Sequence, residues 1–156
     1  MLIAPNSILL GLLAVMLIAA SFWDLRSRTI PNSLNIAIAL LAPIYWWSCG
    51  LPLWPDAAWQ IGIALLLFGL FAAAFACGAM GGGDVKLIAA LALWLPWQAV
   101  LLMLVIMSLA GGALTLVMLV RKRMTRAEAP LEIPYGVAIA FGGLWLIAQR
   151  FLYQFA

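Results

Sequence analysis

Histidine is absent from this chain, and cysteine occurs only twice, as Cys49 and Cys77. Without histidine, Ser-His-Asp and Cys-His catalysis are excluded, and so is every histidine-ligated metal site. The two cysteines form no CxxC pair, so no zinc site is expected. They read as packing residues in or near helices. No cofactor and no metal is expected. Charge is scarce as well: 8% of the 156 residues are charged, against about 25% in an average soluble domain. The carboxylates available for chemistry are Asp24, Asp56, Asp84, Glu128 and Glu132. The net charge of +3 rests on few basic residues, and no nucleic-acid partner is expected from it.

Apolar residues fill the space that charge leaves, at 68% of the chain. A soluble core of this length cannot hide so much apolar surface. The expectation is an all-α polytopic membrane protein of about six transmembrane helices, forming one domain over residues 1–156. Measured against the ~20 apolar residues that cross a bilayer, the spans read as Pro5–Trp23, Leu34–Trp47, Ala57–Cys77, Val85–Leu95, Trp97–Val120 and Pro134–Tyr153. The first lacks the basic start and clean cleavage site of a signal peptide. The second is expected to begin after Asn32 as helix cap. The fourth is short, reaching only about 16 Å. It is either a half-helix or continues through Pro96 with a kink. Trp46, Trp47, Trp54 and Trp59 bracket the second loop, as an interfacial aromatic belt does.

The basic residues alternate with these spans. Arg26 and Arg28 fall in the first loop, Lys86 in the third, and Arg121, Lys122, Arg123 and Arg126 in the fifth. The second and fourth loops hold none, and only Arg150 falls on the other side. The positive-inside rule makes the basic side cytoplasmic and puts both termini outside.

With that topology, Asp24 at the end of span one and Asp84 at the start of span four reach the same depth on the cytoplasmic side. Asp56 falls outside, and Glu128 and Glu132 fall in a cytoplasmic loop. Ionisable groups at membrane depth are costly and point to function. Two carboxylates brought close do not both ionise, so one keeps its proton while the other stays charged. Such a pair can hydrolyse an amide: the charged member takes a proton from water and the protonated member donates to the carbonyl oxygen. Gly81, Gly82 and Gly83, just before Asp84, permit close backbone approach and leave N–H groups free at a helix start.

Plainer uses fit the same residues. Asp84 serves equally as an N-cap, and Asp24 equally as an i, i+4 partner of Arg28. Lys86 reads first as a snorkelling anchor. The GxxxG in Gly78–Gly82 can simply pack helices. A non-enzymatic small transporter or assembly subunit, with the acids as ion or proton ligands, is the alternative function. It calls for polar groups across the whole bilayer, and spans two, three and five are almost purely apolar. A Ser-Lys peptidase built on Lys86 has no marked serine among Ser21, Ser27 and Ser33.

The stretch Gly81-Gly82-Gly83-Asp84-Val85-Lys86-Leu87 resembles the GxGDxKL signature of the type IV prepilin peptidases, membrane aspartic proteases that share GxGD with presenilin-like enzymes. Asp24 to Leu34, DLRSRTIPNSL, resembles that family's other aspartate block, and Ile133-Pro134-Tyr135-Gly136 its Pro-aromatic-Gly segment. The resemblance covers essentially the whole chain. It implies a six-span inner-membrane endopeptidase that removes the basic leader of prepilins or pseudopilins at the cytoplasmic face. It implies Asp24 and Asp84 as the catalytic pair and Gly81 and Gly83 as shaping the loop around Asp84. Lys86, Pro31, Asn32, Pro134, Tyr135 and Gly136 are implied as support. Long members of the family carry a cytoplasmic insert with paired CxxC motifs, linked to N-methylation. Here the first loop is short and no CxxC exists, so no separate methyltransferase insert is expected. The chain resembles the short form that serves Flp pili, with the archaeal preflagellin peptidases as neighbours.

Overall fold

Among the described residues, which are 5–125 and 133–155 of a computed structural model, the chain forms six α-helices. They are α1 (Pro5–Ser27), α2 (Asn32–Ser48), α3 (Ala58–Ala76), α4 (Gly82–Ala92), α5 (Trp97–Thr125) and α6 (Tyr135–Phe155). A kinked segment, Leu53–Ala57, with Trp54 extended at φ −128° and ψ 129°, leads into α3. Four stretches are long and apolar enough to cross a membrane: Asn6–Ser27, Leu53–Ala76, Trp97–Met124 and Tyr135–Leu152. The protein is therefore a multi-pass membrane protein. Its outer faces fit this: Leu66 and Leu109 are each 70% exposed, a cost in water that lipid removes. The other two helices are shorter, 17 residues in α2 and 11 in α4. Glu128, Glu132 and Arg126 lie outside the described residues.

The shortest helix is the most enclosed. α4 packs against α2, α3 and α6, and Asp84, Val85, Leu87, Ile88, Ala90, Leu91 and Ala92 are all buried. It ends at Ala92 and does not run through Pro96, so it is a half-helix. Its end is held by indoles. Trp46 Nε1 donates to the Leu93 carbonyl at 2.7 Å, and Trp94 Nε1 donates to the Ile38 carbonyl at 2.9 Å. The Tyr45 and Trp94 rings stack with centroids 4.9 Å apart. A terminal carbonyl buried without a partner is costly, and α2 supplies that partner. Trp46 is therefore a buried tie between helices, unlike the exposed Trp47, Trp54 and Trp59.

Local chemistry sets the breaks. After α3, Gly78 takes φ 72°. Its N–H donates to the Phe75 carbonyl, and the Ala79 N–H to the Ala74 carbonyl. This is a Schellman stop, which needs a left-handed residue. Of the GxxxG in Gly78–Gly82, Gly78 serves the turn, where a β-carbon would meet nothing within 4 Å, and Gly82 opens α4 against the Phe75 ring of α3, which a β-carbon would meet at 3.3 Å. α2 starts one step earlier than expected. Pro31 is its N-cap residue, with no side-chain cap, and Asn32 is the first helical residue. Proline at a helix start loses no bond, because that N–H has no helical partner. Cys49 and Cys77 follow α2 and α3 directly and are both exposed, so neither packs a core.

Candidate active site

Three polar or charged side chains are buried among the described residues: Asp24, Asn35 and Asp84. They come from α1, α2 and α4 and gather at one end of the bundle.

Asp24 occupies the last turn of α1 and is 4% exposed. The chain leaves that helix through Arg28, whose φ is 54°, with the Arg28 N–H donating to the Asp24 carbonyl at 3.0 Å. Arg28 also acts on the Asp24 carboxylate through space. The carboxylate points at the start of α6. Asp24 Oδ2 accepts the Val137 N–H at 3.2 Å, and the Gly136 N–H faces it as well. The first N–H groups of a helix have no partner within it, so α1 supplies a carboxylate that caps α6. A β-carbon at Gly136 would lie 2.8 Å from Asp24 Oδ2 and 2.9 Å from Cγ. Only glycine admits this approach. Pro134 is buried just before the helix, and its carbonyl accepts the Val137 N–H at 3.3 Å. The Tyr135 ring turns to α5, against Gly111.

Asp84 lies in the first turn of α4, with Gly81 as the N-cap residue. It is therefore not the cap itself. Its carboxylate turns back toward the Gly81 N–H, the reach that an acid makes from the third helical position. A β-carbon at Gly81 would lie 2.8 Å from Asp84 Oδ2. Gly136, against Asp24, and Gly83, next to Asp84 in the chain, both close on Ile30, so the two acids lie at the same end of the bundle.

Ile30 fits between the two glycine contacts. A β-carbon at Gly83 would meet Ile30 Cβ at 3.1 Å and Ile30 N at 3.2 Å, and one at Gly136 would meet Ile30 Cδ1 at 2.8 Å. Ile30 thus spaces the glycine turn from the start of α6. From the next turn, Asn32 Oδ1 accepts a hydrogen bond from Lys86 Nζ at 2.8 Å. Lys86 is exposed and reaches α2, on the face of α4 away from Asp84.

The structure thus gathers Asp24, Asp84, Gly81, Gly83 and Gly136 into one cluster, with Lys86 of α4 tied to Asn32 of α2 beside it, Pro31 at the α2 start and Pro134 at the α6 start. Tyr135 packs to one side. Asp56 is exposed before α3, a 19-residue helix away. Sequence reasoning missed Ile30 and Asn35. The IPN block pointed near the first. An asparagine in the otherwise apolar run after Leu34 was the available signal for the second.

Residues 11–116 match the type IV leader peptidase family. A prepilin leader peptidase/N-methyltransferase of Burkholderia pseudomallei (strain K96243) is 36% identical over 141 residues, 84% of this chain and 43% of the relative. The protein of the same name from Stutzerimonas stutzeri is 34% identical over 132 residues, 81% of this chain and 44% of the relative. That of Legionella pneumophila is 31% identical over 140 residues, 90% of this chain and 40% of the relative. The chain spans less than half the length of these relatives. No solved structure matches it. Its sequence match and its prepilin peptidase relatives show that this chain belongs to the type IV leader peptidase family.

Proposed function

We propose that this chain is a membrane aspartic endopeptidase that removes the leader peptide of type IV prepilins or pseudopilins. The observation that carries the reading is the placement of Asp24 and Asp84, two buried acids from different helices, around Ile30 at one end of the bundle in a member of the leader peptidase family. The two carboxyl groups act as a unit holding one proton. The charged member takes a proton from water, whose oxygen attacks the scissile carbonyl carbon. The protonated member donates to the carbonyl oxygen. Collapse of the tetrahedral intermediate breaks the C–N bond, and a proton from the pair goes to the leaving amine. The glycine turn before Asp84 offers a backbone surface for an extended substrate strand.

All six helices cross or enter the bilayer in this reading, with α4 as a half-length element. The Arg26 and Arg28 end lies in the cytoplasm, both termini lie outside, and the membrane is the bacterial inner membrane. Cleavage then occurs near the cytoplasmic face, beside the lipid surface. The turn between α1 and α2 is short and the chain has no CxxC pair. In this reading the substrates are Flp-type prepilins. Pro31, Asn32, Lys86, Pro134, Tyr135 and Gly136 support the pair, and Gly81 and Gly83 shape its loop. The transporter alternative draws no support from the buried polar side chains among the described residues, which gather at one end.

Co-expression with a leader-bearing Flp-type prepilin tests the reading. The wild-type chain is expected to remove the leader, and Asp84→Asn to accumulate in the membrane and leave it in place. Leader removal by Asp84→Asn at the wild-type level would sink the proposal.

A further inference from the structure

Asn35 is 3% exposed, the one buried side chain of α2 that is neither aliphatic nor aromatic. Its Nδ2 donates to the Gly83 carbonyl at 3.1 Å. Its Oδ1 is buried and meets no protein donor. An aliphatic side chain of the same size would fill this position without an unpaired oxygen, and burying an unpaired acceptor is unfavourable. The carboxamide is thus a poor choice for stability alone. Local rules are broken in this way where a site needs the group.

The bonded atom explains the need. Gly83 immediately precedes Asp84, and its peptide fixes where the Asp84 Cα points. One turn earlier on α2, Asn32 holds Lys86. The two bonds clasp α4 on either side of Asp84 and resist rotation of that short helix about its axis. Ile30 closes the other side of Gly83.

We propose that Asn35 is the positioning residue for Asp84: its carboxamide N–H holds the Gly83 peptide so that the Asp84 carboxyl faces Asp24. This rests on the peptidase reading above. The group that matters is the donor, so a neutral carboxyl at this position can replace it and an ionised one cannot. The charged residues on the helices packed against α2 are Asp84 and Lys86 on α4 and Asp24 and Arg26 on α1, with Arg28 just beyond α1. α2 and α3 carry no charged residue.

The full chain, purified in detergent, is assayed for leader cleavage as Asn35→Leu and Asn35→Asp beside wild type and Asp84→Asn. Asn35→Leu is expected to lower kcat by about 10-fold to 100-fold, as small misplacements of reacting groups do, with KM within twofold. Asn35→Asp is expected to recover activity relative to wild type as pH falls, while the Asn35→Leu ratio stays flat. Asn35→Leu within twofold of wild-type kcat overturns the proposal. So does an Asn35→Asp ratio that does not change with pH, and so does an Asn35→Leu loss carried by KM. Asn35→Asp is compared with itself across pH in one preparation, so poor folding of Asn35→Leu leaves a decisive arm. Failure of the peptidase reading is distinct: there wild type fails to cleave, or Asp84→Asn cleaves fully.

Discussion

Replacing Gly136 with alanine adds one methyl group and is expected to disable the site. The new carbon would lie 2.8 Å from Asp24 Oδ2 and 2.9 Å from Asp24 Cγ, well inside the 3.5–4.0 Å of an ordinary contact. Ile30 Cδ1, also at 2.8 Å, is the far end of a flexible side chain and can swing away. The Asp24 carboxylate cannot move so cheaply. Its Oδ2 holds the Val137 N–H at 3.2 Å, and withdrawal by even half an ångström breaks that bond. A hydrogen bond to a charged group contributes roughly 1.5–3 kcal/mol, and overpacking costs roughly 1–3 kcal/mol. A displacement of about 1 Å at a reacting group costs about 100-fold in rate. Leader cleavage by Gly136→Ala should therefore fall about 100-fold, with a thermal midpoint in detergent several degrees below wild type. The assay is the gel shift of a leader-bearing prepilin, scored against time at matched enzyme level. Cleavage within twofold of wild type would refute the reasoning, because it would mean that Asp24 need not stay at the start of α6.

Other consequences follow from the same contacts. Gly81→Ala places a carbon 2.8 Å from Asp84 Oδ2 and should reduce cleavage at least 10-fold in the same gel assay. Trp46→Phe keeps an aromatic ring, though a smaller one, and loses the 2.7 Å bond to Leu93. It should cost about 1–3 kcal/mol, read as a lower thermal midpoint, with kcat changed less than by Gly81→Ala. Gly78→Ala meets open space but must adopt φ 72°. It should lower stability by about 1 kcal/mol and leave cleavage intact.

Much of this site can be read from the residues. Asp24 and Asp84 stand out because a charged group in an apolar chain is expensive, and the alternation of basic loops puts both on one side. The glycines before Asp84 mark a break whichever function is assigned. The remainder depends on tertiary register. Nothing local reveals that Asp24 caps α6, because its partner Val137 lies more than a hundred residues on. Asn35 looks like a single polar intrusion in an apolar helix until α2 is set against α4. Asn32 resembles a cap by type, yet proline before it takes the cap position and frees its side chain for Lys86. The half-length of α4 fits Pro96, which cannot continue a helix, and the Trp46 indole, which satisfies the Leu93 carbonyl left at its end.

The central claim, that Asp24 and Asp84 work as one unit, is tested most directly by leader-cleavage rates of Asp24→Asn, Asp84→Asn and the double variant at equal membrane abundance. Groups acting as a unit are non-additive. Each single variant should lose cleavage, and the double should be no slower than either. Cleavage at the wild-type rate by either single variant, or losses that multiply in the double, would contradict the account.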